Sequence, residues 1–267
     1  MNLPLRSIPL RIAPARGGTP VNTIQLEIRQ DGVGPGKTGM AVWNSALLLG
    51  RLLEAIVAAN PNWLPTKRVV EVGCGAGLVS LMASKLGAKS VWATDGNPAA
   101  VSLTQSNFDL NEIPYTTTID PLDDNVGSNS GCNNIVSVMQ WGELQVPLEW
   151  MGQVDVIFGS DLTYNSGSWR VLAETMESLL SKTGIVIYLS LGHSGFNVRG
   201  EMDGFVNVAK QVGLIELSIR DNFPSLPTGI SSLDALLQSV VLPSERPILA
   251  ATGGAQVIVL CGRWIHA

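Results

Sequence analysis

Residues 69–77 read VVEVGCGAG. A short apolar run ends in an acid, and glycines follow at every second position: Gly73, Gly75 and Gly77. An apolar run of this length, bounded by a turn signal, reads as a buried strand. The residues after it, LVSLMASKLG, read as a helix that ends at Gly87. Strand, glycine turn and helix form one unit. Glycine there permits tight φ/ψ and lets a ligand approach the backbone closely.

The unit recurs along the chain. SVWATD is a second strand and AAVSLTQSNFDLN a second helix. IVSVMQW and VDVIFGSD are the third and fourth strands, and SWRVLAETMESLLSKTG is an amphipathic helix with a glycine stop. GIVIYLSLG is a fifth strand, FVNVAKQVG a helix, LIELSIR a sixth strand and AQVIVLCGRWI a last one. Strands alternating with helices imply a parallel sheet covered on both faces. The expected fold is α/β: a doubly wound, seven-stranded, mostly parallel sheet. The last two strands lack an obvious helix between them, which predicts an antiparallel edge strand.

Upstream, NTIQLEIRQ alternates as a half-exposed strand, DGVGPGKTG is a loop, and Met40 to Ala58 is helical until PNWLP stops it. Two stretches break the rhythm. Residues 115–134 are polar and turn-rich, and 221–252 form a long connection around SSLDALLQSV. Both read as surface insertions. No internal repeat and no linker divides the 267 residues. The chain is therefore expected to be one domain, 1–267, with an N-terminal extension over 1–60.

Bulk composition removes some classes. Apolar residues make up 45% and charged residues 15%, enough for a large core. A net charge of −5 argues against general electrostatic grip on nucleic acid. No apolar stretch reaches the roughly 18–20 residues of a membrane span. Cys74, Cys132 and Cys261 are widely spaced without a CxxC, which reads as free thiols in a reducing compartment, the cytoplasm or nucleus. The only histidines are His193 and His266, too few for a histidine-rich metal site. The first residues, MNLPLRSIPLRIAPARGG, hold three arginines, and no acid precedes Glu27. Two readings stand: an organelle transit peptide, or a lead-in or first strand.

The glycine spacing narrows the ligand. A dinucleotide fingerprint is GxGxxG; here GCGAGL puts the third glycine one position early, with Leu78 in its place. No GK[ST] follows, so it is not a P-loop. Glu71, beside the loop, would repel a pyrophosphate and attract an ammonium, directly or through water. Asp95 ends the second strand and can accept hydrogen bonds from ribose hydroxyls, or else cap the next helix.

The ordered set of Trp43, Glu71–Gly77, Asp95, Trp141-Gly142 and Asp161-x-x-Tyr164 resembles the class I (seven-β-strand) S-adenosylmethionine-dependent methyltransferases. Within them it is similar to the family-16 group of protein methyltransferases, most of which act on lysine. The resemblance covers about residues 38–215 and the terminal strand. It implies S-adenosylmethionine as cofactor, S-adenosylhomocysteine as product and a protein acceptor presenting a lysine. By that resemblance Trp43 approaches the cofactor from the N-terminal helix. The Gly73–Gly75 backbone, with Cys74 as a small filler, contacts the methionine part beside Glu71. Asp95 holds the ribose, Trp141 flanks the adenine and Ser160 touches the cofactor through its backbone. Asp161 and Tyr164 face the acceptor. Simple packing is the competing reading for Trp43, Trp141 and Tyr164, and helix capping for Asp161. His193 follows the fifth strand and could line an acceptor channel. The alternative functions are methylation of a small molecule or nucleic acid, a non-catalytic binding protein of the same fold, and a NAD-dependent oxidoreductase.

Overall fold

The computed structural model describes residues 5–12, 22–32, 34, 38–117, 134–142, 150–191, 198–218, 241–247 and 255–262. The insertion core 118–133, most of 221–252 and His193 lie outside the described residues.

Seven strands form the central sheet: β3 (Arg68–Val72), β4 (Ser90–Asp95), β5 (Asn134–Val138), β6 (Val154–Ser160), β7 (Leu180–Ser190), β8 (Leu214–Leu217) and β9 (Gln256–Gly262). Their order is β5-β4-β3-β6-β7-β9-β8. The antiparallel strand expected at the edge is β9, which lies one place inside it. The edge itself is β8, antiparallel to β9 and so parallel to β7. Burial explains the placement: β9 is an apolar run flanked on both sides, while Ile215, Glu216 and Leu217 of the short β8 remain partly exposed.

Alternation along each strand splits the core into two layers. Val69, Val91, Ala93, Val156, Phe158, Ile187 and Leu189 face one side. Val70, Val72, Trp92, Ile157, Val186 and Tyr188 face the other. Successive side chains point to opposite faces of a sheet, so these runs are buried twice over. The first layer is completed by α1 (Asn44–Ala59), α2 (Leu78–Lys85) and α3 (Pro98–Leu110). The second is completed by α4 (Trp169–Leu179) and α5 (Val198–Val212). On α4, Leu172, Ala173, Met176 and Leu179 form the buried stripe, with Arg170 and Glu174 paired on the outer face.

Two boundaries differ from the sequence expectation. The helix read as running to a stop at Gly184 ends at Leu179, and β7 begins at Leu180. Leu180 is buried and pairs with Val154, across a register shift. A Cβ on Gly184 would stand 2.4 Å from the Val154 carbonyl oxygen, so this glycine serves a close strand approach. Likewise α5 starts at Val198, well before Phe205. Gly204, within α5, sits under the Trp169 ring, where a Cβ would be 2.6 Å from it.

A separate hairpin pairs β1 (Arg6–Ile12) with β2 (Asn22–Ile28). Ile8 and Leu10 are buried in the first layer, so this part of the arginine-bearing N-terminus is a strand of the fold. Asn107 of α3 and Asn111 at its C-terminal cap secure the last residues of β2 and the one that follows. The Asn111 amide accepts from Glu27 N–H and donates to its carbonyl; Asn107 does the same for Arg29. Among the described residues, no helix is long and apolar enough to cross a membrane.

Candidate active site

The sheet changes winding direction between β3 and β6, and at the C-terminal ends of its strands lies a cavity of about 560 Å³. That is where an open α/β sheet leaves a crevice between outgoing loops. Its walls come from the turn and helix start at 38–46, the glycine loop, the end of β4, the residues after β5 and the end of β6.

The glycine loop takes a left-handed path that glycine adopts without cost. Gly73, Gly75 and Gly77 all have positive φ, at 66°, 55° and 81°. Neighbours fill the space where side chains would be. A Cβ on Gly73 would meet Leu162 at 2.4 Å, one on Gly75 the Gly39 carbonyl oxygen at 3.0 Å, and one on Gly77 Thr104 at 2.6 Å. The loop is thus keyed to the segment after β6, to the 38–40 turn and to α3. Thr104 donates to the Gly75 carbonyl at 2.7 Å, and Asn107 to the Ala76 carbonyl at 2.9 Å.

Asp95 lines the cavity at the end of β4. One carboxylate oxygen accepts from Gly75 N–H at 3.0 Å and the other from Asn97 N–H at 2.8 Å. Burial pushes its pKa up, and these two donors pull it back. It is not the cap of α3: that is Asn97, whose side chain accepts from Ala99 N–H. Cys74 lines the loop with its thiol buried against Thr104, and burial pushes the thiol far up, away from nucleophilic use.

Glu71 does not line the cavity. Its carboxylate is buried behind the loop, where one oxygen accepts from Ser80 N–H at 2.8 Å and from Ser80 Oγ at 2.5 Å. Burial raises its pKa to about 7. Its bonds to Ser80 make it an internal tie between β3 and α2.

Trp43 ends the strap that runs from Thr38. Its Nε1 donates to the Thr38 carbonyl at 2.7 Å, and its ring is 43% exposed on the cavity wall, so packing alone does not account for it. The hairpin holds this strap in place. Asp31 N–H donates to the Met40 carbonyl, Gln30 accepts from Val42 N–H, and Arg6 reaches the Val42 carbonyl. Trp141 packs partly on the second layer and partly on the cavity. Ser160, at the end of β6, completes that wall.

Asp161 follows Ser160 with a φ of 51°, rare for a residue other than glycine. It caps no helix. Its Oδ1 accepts from Ser190 Oγ and Leu191 N–H, both at 2.9 Å, and Oδ2 has no partner among the described residues. Tyr164 stands at the mouth, 55% exposed. Nine of the ten site residues expected from the sequence line this one cavity, and Glu71 lies behind it. Gly39, Leu162, Met139 and Gln140 line it too and were not among those expected. Gly39 carried the one available signal, a glycine inside GKTGM, but its reason is a contact with Gly75 far along the chain.

A family model described as lysine methyltransferase matches residues 21–197, about two thirds of the chain. The chain belongs to that family. Among curated relatives, this lysine methyltransferase family member is 29% identical over 151 residues to protein-lysine N-methyltransferase EFM3 of Chaetomium thermophilum, covering 54% of this chain and 39% of the relative. It is 33% identical over 146 residues to protein N-lysine methyltransferase METTL21A of Danio rerio, covering 55% and 57%. The chain thus spans about half the length of the curated relatives it matches. Among solved structures, the cyclase SpnF superposes with a TM-score of 0.50 at 12% identity, over 84% of each chain. That likeness concerns the fold alone; one fold hosts several reactions, and the site has to argue the chemistry.

Proposed function

We propose that the chain is an S-adenosylmethionine-dependent methyltransferase that modifies a lysine ε-amine on a protein. The observation that carries this reading is the charge of the cavity. Its described lining holds two acids, Asp95 and Asp161, and no lysine, arginine or histidine. A dinucleotide's pyrophosphate needs the GxGxxG turn at a helix N-terminus, and Leu78 stands where its third glycine would be. A sulfonium nucleoside and an ammonium acceptor both suit the two acids. The volume also falls in the range of small-molecule sites, roughly 300–1,000 Å³.

The residues present fit the cofactor by chemistry. Asp95 would accept from the ribose hydroxyls, the Gly73–Gly75 backbone would meet the methionine part, and Met139 and Trp141 would flank the adenine. When bound, S-adenosylmethionine supplies a methyl group on a sulfonium, already a good leaving group. The chain's own residues then have to position and desolvate the acceptor. Asp161 is anchored through Oδ1, which leaves Oδ2 to accept from the incoming ammonium. A lysine has to give up a proton against a free pKa near 10.4. The carboxylate holds the amine in place as that proton passes to water. Tyr164 forms one wall of the approach.

The net charge of −5 supports a protein acceptor over nucleic acid. Free buried thiols at Cys74 and Cys261 support a reducing compartment such as the cytoplasm. We read residues 1–267 as one catalytic domain.

The test is a transfer assay with methyl-labelled S-adenosylmethionine and a cell extract, its products split by protease and nuclease sensitivity. Label in protein, mapped to lysine by mass spectrometry, is the expected result. Nuclease-sensitive or small-molecule label overturns the acceptor and keeps the cofactor. No label, with no cofactor binding by calorimetry, leaves a binding protein of this fold.

A further inference from the structure

The loop that carries Asp161 is fixed from beneath by side chains that do not line the cavity. A left-handed aspartate is costly and persists where its surroundings over-determine it. Those surroundings are explicit here. The N–H groups of the next two residues, Leu162 and Thr163, both donate to Tyr188 Oη, at 2.6 and 3.0 Å. Tyr188 lies on β7 and is fully buried. A phenol oxygen that accepts two N–H groups has its own proton left to give, and Thr163 Oγ1 is 3.0 Å away. The Thr163 hydroxyl then donates to Glu201 Oε1, a buried carboxylate on α5. From the other side, Trp169 Nε1 donates to the Thr163 carbonyl at 2.8 Å. Between these bonds Leu162 fills the space left by the missing side chains of Gly73 and Gly159, where an added Cβ would stand 2.4 and 3.2 Å from it.

We propose that Tyr188, backed by Thr163 and Glu201, is a positioning residue that sets the Asp161 carboxylate relative to the glycine loop. This rests on the reading of Asp161 as the group that receives the acceptor amine. Packing alone would be served by phenylalanine, since the Tyr188 ring lies against Phe205 and the Gly159 backbone. The hydroxyl is what joins three stretches distant in sequence: 161–164, β7 and α5. Burial also raises the phenol's pKa, so its proton stays available for Thr163.

Y188F tests this. It removes one oxygen and leaves two buried N–H groups without an acceptor. The expected result is a fall in kcat of about 10–100-fold, with Kd for S-adenosylhomocysteine within about threefold of wild type. The Leu162 and Thr163 amides should also exchange hydrogen faster. Unchanged kcat together with unchanged exchange overturns the proposal, as does a loss confined to melting temperature. Should Y188F not fold, E201A and E201Q decide: glutamine still accepts from Thr163 and should retain kcat, while alanine should lose it. Equal loss or equal retention in that pair overturns the proposal. A wild-type protein that transfers no methyl group would sink the functional reading instead; amide exchange would still tell whether Tyr188 holds the loop.

Discussion

At the residue scale, two carboxylates on neighbouring strands, Glu71 of β3 and Asp161 at the end of β6, carry opposite lessons. Asp161 sits at the cavity with one oxygen anchored and one open, so charge and anchorage can be separated. In D161N the amide oxygen still accepts from Ser190 and Leu191, while an NH2 group replaces the open oxygen. We expect kcat to fall by about a hundredfold or more with cofactor affinity nearly unchanged, read by steady-state kinetics and calorimetry. A fully active variant would remove Asp161 from the reaction. Glu71 belongs to the same glycine motif yet works behind it. Its place in the strand already said so: Glu71 shares the parity of Val69, which faces the α1–α3 layer, and Ser80 of α2 is what it meets. Motif order suggested a ligand contact, and the two-residue period of the strand outweighed it. Burial has raised this acid from 4.5 to about 7. A raised carboxyl pKa means the folded state favours the protonated form. The associated stability is therefore full below about pH 4.5 and lost as pH rises through about 7, an effect on the order of 3 kcal/mol. Urea melts at pH 5 and pH 8 should show wild type losing stability toward pH 8, with E71Q more stable than wild type there. Parallel pH profiles for the two proteins would remove Glu71 as the cause.

At the element scale, the rhythm of strands and helices was legible because apolar periodicity records burial directly. Element ends and long-range ties were not. Gly184 reads as a stop and is a contact with the Val154 carbonyl; Gly204, just before the helix read from Phe205, is a contact with the Trp169 ring. Arg51 shows the same limit more strongly. It lies within the buried part of α1, where its period assigns it to the core, and it is fully buried. Its guanidinium pairs with Glu54 three residues on and with Glu245 at 2.7 Å, and it donates to the Pro9 carbonyl. Arg11 completes the cluster on Glu54. Arg6 lies close enough to feel both Glu245 and Arg51, so the cluster ties together β1, α1 and the turn at Pro243–Glu245. Glu245 is 194 residues from Arg51, and no local pattern could pair them. Removing one partner leaves buried charge uncompensated. R51A should therefore cost about 3–5 kcal/mol, measured by chemical denaturation. A loss below about 1 kcal/mol, the level of an exposed pair, would mean that water reaches the cluster.

At the scale of the whole molecule, the sequence carried the sheet and the glycine turn that opens onto the cavity. The insertion of β9 between β7 and β8 was outside its reach, because alternation fixes which face a residue takes and not which strand lies beside it. The cavity has the same character. Its wall draws on residues 38–46, 73–78, 95–97, 139–141, 160–164 and 168–171, stretches that meet only in the folded sheet. An unfolded chain has no such site, so a ligand of this cavity binds the native state alone. Saturation at a hundred times Kd then stabilises the fold by about 2.7 kcal/mol. At roughly 2–4 °C per kcal/mol for a chain near this size, S-adenosylhomocysteine should raise the melting temperature by about 5–10 °C. NAD at the same concentration should leave it unmoved, since Leu78 stands where the pyrophosphate turn needs its third glycine. D95A separates the site from general stabilisation. The variant loses the proposed ribose acceptor together with the bonds to Gly75 and Asn97, so its own melting temperature should drop and its response to S-adenosylhomocysteine should vanish. A shift that survives in D95A would move the ligand away from the end of β4. A shift with NAD in place of S-adenosylhomocysteine would replace the sulfonium nucleoside with a dinucleotide and with it the methyl-transfer chemistry.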